Sequence, residues 1–151
     1  MKKSILTILA LCFLTFSACA QSSKTTGEKT MGTTINITVN GVTKTATLVD
    51  NVATKALLEL LAKGNVTVKT NDYSGFEKVG TFGTRLPTAN SQIDTVPGDI
   101  VLYHGNNISF FYDYNGWSYT MLGKLDIVDV DEIKTFLAAG KGKTDIVLSL
   151  K

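Results

Sequence analysis

The stretch DYSGFEKVGTFGTRLPTANSQIDTVPGDIVLYHGNNISFFYDYNGWSYTMLGKL, Asp72 to Leu125, decides the fold. It holds most of the glycines and the only histidine and tryptophan, His104 and Trp117. Short apolar runs alternate there with turn residues. Val96-Pro97-Gly98-Asp99 places Pro and Gly in the order that a type II turn prefers. Asp99 to His104 reads as a strand, Gly105-Asn106-Asn107 as a turn, and Ile108 to Asp113 as a strand with three aromatics. Asn115-Gly116 carries the signal of a type I′ hairpin turn, which needs positive φ at both central residues. Trp117 to Leu122 reads as the return strand. Earlier in the stretch, Phe76 and Val79 anchor a short strand, and Thr88 to Gln92 reads as an exposed connection. The sum is a meander of antiparallel strands joined by tight turns.

Working outward, Val66 to Thr70 is another short strand. Before it, Val52, Ala53, Ala56, Leu57, Leu60 and Leu61 recur at helical spacing, with Asp50 placed to cap and Gly64 placed to terminate. Thr34 to Val39 alternates apolar and polar residues, and Asn40-Gly41 turns the chain into a return strand, Val42 to Leu48. After the central stretch, Asp129 and Glu132 form a capping-box pattern. Val130, Ile133 and Leu137 make the apolar stripe of a second helix that ends by Gly140. Thr144 to Leu150 is a last alternating strand. About eight strands and two helices are expected. A closed antiparallel barrel capped by the helices is the arrangement that leaves no sheet edge exposed.

The first residues read differently. Met1-Lys2-Lys3 is a positive start, Ser4 to Phe16 is mostly apolar, and small residues follow, so residues 1–19 are expected to be an export signal. The apolar run is shorter than the roughly 20 residues a bilayer span needs. Two cleavage readings stand. Ser17-Ala18-Cys19 is similar to a lipobox, with lipid placed on Cys19. Ala18-Cys19-Ala20 is also an ordinary A-x-A site. Residues 20–33 are small, polar and aperiodic, a tether. The expected address is the cell envelope, with the membrane reached through a lipid anchor.

Composition narrows the function classes. The chain has 15 basic and 13 acidic residues, and the surplus is Lys2 and Lys3. A mature chain of zero net charge has no electrostatic footprint for nucleic acid. Cys12 lies in the segment to be removed, so no internal disulfide is expected. A zinc site needs three or four clustered ligands, and one histidine does not supply them. His104 reads as a strand-end polar residue, and neither metal nor cofactor is expected. Gly140-Lys141-Gly142-Lys143-Thr144 has the look of a phosphate loop, but it joins helix to strand, whereas a P-loop joins strand to helix. It reads as a turn. Asp126, Asp129, Asp131 and Glu132 fit helix capping better than calcium.

Several segments together carry a family resemblance. Gly123-Lys124-Leu125, the helix before Gly140 and Lys143 to Val147 resemble the ending of cyclophilins. Pro97 to Val101 with Phe110-Phe111-Tyr112, and Phe76-Glu77-Lys78-Val79, resemble two further cyclophilin segments. GFEKVG, the following LP, PGDIVLY and WSYTMLGK are similar to small bacterial cyclophilin-like domains, over residues 34–151. The resemblance implies a barrel with an apolar groove. In cyclophilins that isomerise X-Pro bonds, an arginine polarises the amide. Lys78 matches that arginine, with Arg85 as a second cation nearby. Lysine lacks the planar fork of arginine, and the glutamine-glycine-glycine stretch that follows it in the family is missing. The family histidine is replaced near Tyr119 or Thr120. The resemblance therefore implies a non-catalytic module that binds a peptide segment or small ligand, with prolyl isomerisation through Lys78 or Arg85 as the alternative. Phe76, Phe110, Phe111, Trp117 and Tyr119 are the candidate groove residues, because alternate aromatics on adjacent strands face opposite ways.

Overall fold

The computed structural model describes residues 32–151. The expected export signal, Cys19 and most of the expected tether lie outside the described residues.

The described chain runs β1 (Thr34–Val39), β2 (Val42–Leu48), α1 (Val52–Leu61), β3 (Val66–Tyr73), β4 (Glu77–Thr81), β5 (Ser91–Thr95), β6 (Asp99–Tyr103), β7 (Asn107–Phe111), β8 (Asn115–Leu125), α2 (Val130–Phe136) and β9 (Thr144–Leu150). Neighbouring strands follow the order β2-β1-β9-β3-β4-β7-β6-β8, and β2 pairs back onto β8. Eight antiparallel strands thus close a barrel, as expected.

Alternation fills the barrel. Ile35, Ile37 and Val39 of β1, Ile108 and Phe110 of β7, and Ile146 and Leu148 of β9 all point inward and are buried. Ala53, Leu57 and Leu61 of α1 and Ile133 and Phe136 of α2 join the same core. The Asn51 side chain caps α1 by accepting from the Ala53 and Thr54 amides, both at 2.9 Å, so the cap is one residue later than Asp50. Asp129 caps α2 through the Glu132 amide at 2.7 Å.

Two features of the central stretch differ from the sequence reading. Ser91–Thr95 is a ninth strand, β5, not a connection; it pairs with the first half of β8 outside the barrel wall. Its residues are mostly polar and exposed, so no apolar alternation announces it. Asn115-Gly116 is not a turn. The chain bends at Tyr112 and Asp113, and Asn115 and Gly116 pair with Thr95 and Asp94. Strand β8 consequently lies beside β6, and the simple meander is broken.

Strand β8 also carries a bulge. Ile100 faces Gly123 but Val101 faces Met121, leaving Leu122 as the extra residue. A bulge reverses the alternation. Before it, Trp117, Tyr119 and Met121 face outward; the extra residue Leu122 faces the core, and after it so does Leu125. At Gly123, a Cβ would run into the Thr47 carbonyl, so the closing contact of β8 with β2 depends on glycine there.

Candidate functional site

The outward side chains of β4, β6, β7 and β8 gather on the outer wall of the barrel. Val101, Phe111 and Tyr119 form a small buried cluster there, separate from the barrel core, with Phe76, Tyr103 and Met121 packed on it. The Phe76 ring stacks on Phe111 at 6.0 Å, and Tyr119 meets Phe111 edge-on at 5.6 Å. Above this floor lies a groove of about 830 Å³. Its walls include Tyr73, Phe76, Tyr103, Trp117 and Tyr119, and its polar lining includes Ser74, Asn107, Ser109 and Asn115. It exists because β8 leaves the barrel wall to pair with β5, carrying Trp117 and Asn115 outward. Trp117 is 58% exposed and so is Tyr73, which leaves both rims open to solvent.

Glu77 sits in this groove. It pairs across strands with Phe111, so both face outward. Glu77 is 6% exposed, and among the described residues its Oε2 atom has no hydrogen-bond partner. Burial pushes the Glu77 carboxyl above its ordinary value, and a hydrogen bond from the Ser109 hydroxyl opposes that. Burial, and then the nearby Glu77 charge, raise the Tyr119 phenol as well.

The proposed cations lie elsewhere. Lys78 pairs across strands with Phe110, and both point into the barrel, each fully buried. This corrects two expectations with one cause, strand parity: Lys78, the candidate cation for isomerisation, does not reach the groove, and Phe110, a candidate groove residue, is core. The Lys78 ammonium donates to the Gly142 carbonyl at 2.6 Å and stands 2.9 Å from an Asp72 carboxylate oxygen. Asp72 also accepts from the Gly140 and Gly142 amides, at 3.0 and 2.6 Å, and from the Tyr112 hydroxyl at 3.0 Å. Burial raises the Asp72 carboxyl, but these donors, Lys78 first among them, outweigh it and hold the group below its ordinary value. Burial and the bond to Asp72 push the Tyr112 phenol up to about 12.

The glycine-lysine loop is a turn between helix and strand, as read from its position, and its amides face inward. The Gly140 and Gly142 amides converge on the two oxygens of one carboxylate, Asp72, while the Lys141 amide between them donates to the Ala138 carbonyl. Gly142 holds φ at +75°, which a side chain rarely adopts. Arg85 is exposed on the loop before β5, beside Gly105, and does not line the groove. His104 is exposed at the β6–β7 turn with φ at +51° and stacks on Tyr103.

Of the candidate groove residues, Phe76, Trp117 and Tyr119 line the groove and Phe111 lies in the floor beneath it. Tyr73, Glu77, Tyr103, Asn107 and Ser109 are groove residues that sequence reasoning did not single out. The available signal for Glu77 was parity: with Phe111 outward, its cross-strand partner must face outward too.

A closed antiparallel barrel with two helices and a groove on its outer wall defines a class, and the sequence assigns the member. The chain belongs to the cyclophilin-like family, whose model matches residues 37–149. No curated protein matches the chain at a significant level.

Proposed function

We propose that this chain is an envelope-located binding module that takes a peptide segment or small ligand in the outer-wall groove without transforming it. The observation that carries the reading is the groove itself: about 830 Å³, open at both exposed rims and lined with aromatic rings and hydrogen-bonding side chains. Ligand sites typically occupy about 300–1,000 Å³ and combine apolar walls with a few placed polar groups. The alternative, isomerisation of X-Pro bonds, needs a donor placed to stabilise a twisted amide. Lys78 is spent on Asp72 inside the barrel, and Arg85 is not in the groove lining, which supports binding over catalysis.

The envelope address rests on the sequence pattern of residues 1–19. Labelled palmitate is expected to enter the wild-type protein in a bacterial host and not a Cys19→Ser variant. Absence of label from both would favour ordinary cleavage after Ala20.

Binding is testable through the single tryptophan. Trp117 fluorescence should change on titration with members of a short-peptide library. A Phe76→Ala variant should weaken the response of the binding members by about tenfold, since one aromatic anchor commonly contributes more than 1 kcal/mol. A fluorescence response that Phe76→Ala leaves unchanged would contradict a groove site.

A further inference from the structure

We infer that the groove takes a basic side chain, lysine or arginine, of a peptide segment, and that the Glu77 carboxylate on the groove floor is the group that recognises it. The inference rests on the groove being the binding site and names the chemistry of its ligand.

An uncompensated carboxylate is costly to bury, so a buried one normally has a partner. Among the described residues, no ion pair includes Glu77. Its neighbour in sequence, Lys78, faces the opposite side of the sheet and is held by Asp72. Lys69 lines the same groove but is exposed and joins none of these ion pairs. Glu77 and Lys69 are the two groups of formal charge in the lining. Glu77 therefore meets the groove as an acceptor in need of a donor. Oε2 is buried in the groove floor, and the terminal torsion is broad and roughly two-fold, so turning about it is the motion that presents this oxygen to a bound donor.

The surroundings select the kind of donor. Phe76, Tyr73, Trp117, Tyr103 and Tyr119 present ring systems around this one acid. Ring faces attract cations, and most strongly where water is displaced. A lysine or arginine side chain fits both demands: its alkyl stem lies on aromatic surface while its head reaches the carboxylate. A neutral alkyl chain would bury the carboxylate without satisfying it, and an acidic one would add repulsion. The groove is larger than a single side chain requires. Asn107, Asn115 and Ser74 supply amide and hydroxyl groups suited to flanking peptide backbone.

The test titrates the full-length protein, held in detergent, with acetyl-Ala-Ala-Lys-Ala-Ala-amide, its norleucine counterpart and n-butylammonium chloride. Trp117 fluorescence and backbone amide shifts are the readouts. The lysine peptide is expected to bind at least about tenfold more tightly than the norleucine peptide and than n-butylammonium. Glu77→Gln should bring the lysine peptide down to the norleucine level with the amide spectrum otherwise preserved. Lys69→Glu, an exposed change that cannot disturb the core, should tighten the lysine peptide several-fold. Equal binding of the lysine and norleucine peptides would overturn the inference while leaving the groove as a binding site. Tight binding of n-butylammonium alone would overturn the peptide as source. No response at Trp117 or its neighbours to any probe would overturn both the inference and the binding-module reading beneath it.

Discussion

Two adjacent side chains, Glu77 and Lys78, set the character of the two sides of one strand. Lys78 is buried with its charge matched by Asp72, which itself holds three further donors besides the ammonium. Removing one member of a buried pair costs about 3–5 kcal/mol when the other is left bare. Asp72 keeps its amide and phenol donors, so Lys78→Met is expected at the lower end, about 3 kcal/mol by urea denaturation. Groove binding should be unchanged in that variant, because the side chain is on the other face. The pH dependence has two limbs. Asp72 is depressed in the folded state, so its stabilisation is present above its ordinary value of 3.8 and is lost as pH falls below it. Glu77 is raised in the folded state, so its protonation favours folding below its ordinary value of 4.5, and that advantage is lost as pH rises through the raised folded value. Melting temperature should therefore rise as pH is lowered through the raised Glu77 value toward 4.5, and fall in acid below 3.8. Glu77→Gln should remove the first limb and keep the second. A wild-type profile with no rise as pH is lowered from neutral toward 4.5 would contradict the burial of a charged Glu77.

At the scale of elements, the loop after α2 and the strand β8 do the positioning. Gly142 gives the Asp72 site its amide at 2.6 Å while holding φ at +75°. Gly142→Ala should cost about 1–2 kcal/mol, the typical penalty of the left-handed region, and should lower the melting temperature without changing groove binding. Thr120 is fully buried on β8 and holds the segment before β5: it accepts from the Ala89 amide at 2.9 Å and donates to the Asn90 side chain at 2.7 Å. Thr120→Val should leave those groups unpaired, costing about 1–3 kcal/mol, and hydrogen exchange at Ala89 should accelerate. These elements also mark what was legible in the sequence. Strands with one apolar face, such as Thr34–Val39 and Thr144–Leu150, and the Asn40-Gly41 hairpin were readable because a buried face enforces alternation and a type I′ turn restricts residue choice. Strand β5 was not, because hydrogen bonding to β8 holds it without an apolar face. Asn115-Gly116 has turn chemistry, yet pairing with β5 keeps it extended. The groove was half legible. Its aromatics stood out, but which of Phe110 and Phe111, or of Glu77 and Lys78, faces it depends on register, and the bulge at Leu122 resets the parity on β8.

For the whole molecule, the barrel separates two jobs. Its interior and its helices supply stability, with one internal charge knot at Asp72. Its outer wall supplies a groove whose acid has no ion-pair partner among the described residues. Family membership accounts for the first job. Among the described residues no helix is long and apolar enough to cross a membrane. The most direct test of the account is exchange spectroscopy on acetyl-Ala-Lys-Pro-Ala-amide with the full-length protein. This reads binding and cis–trans exchange of the same Lys-Pro bond together. The account predicts shifts at Trp117, Tyr119 and Phe76 while the bond isomerises at its uncatalysed pace of tens to hundreds of seconds. Accelerated exchange, or shifts that map away from the groove, would contradict it.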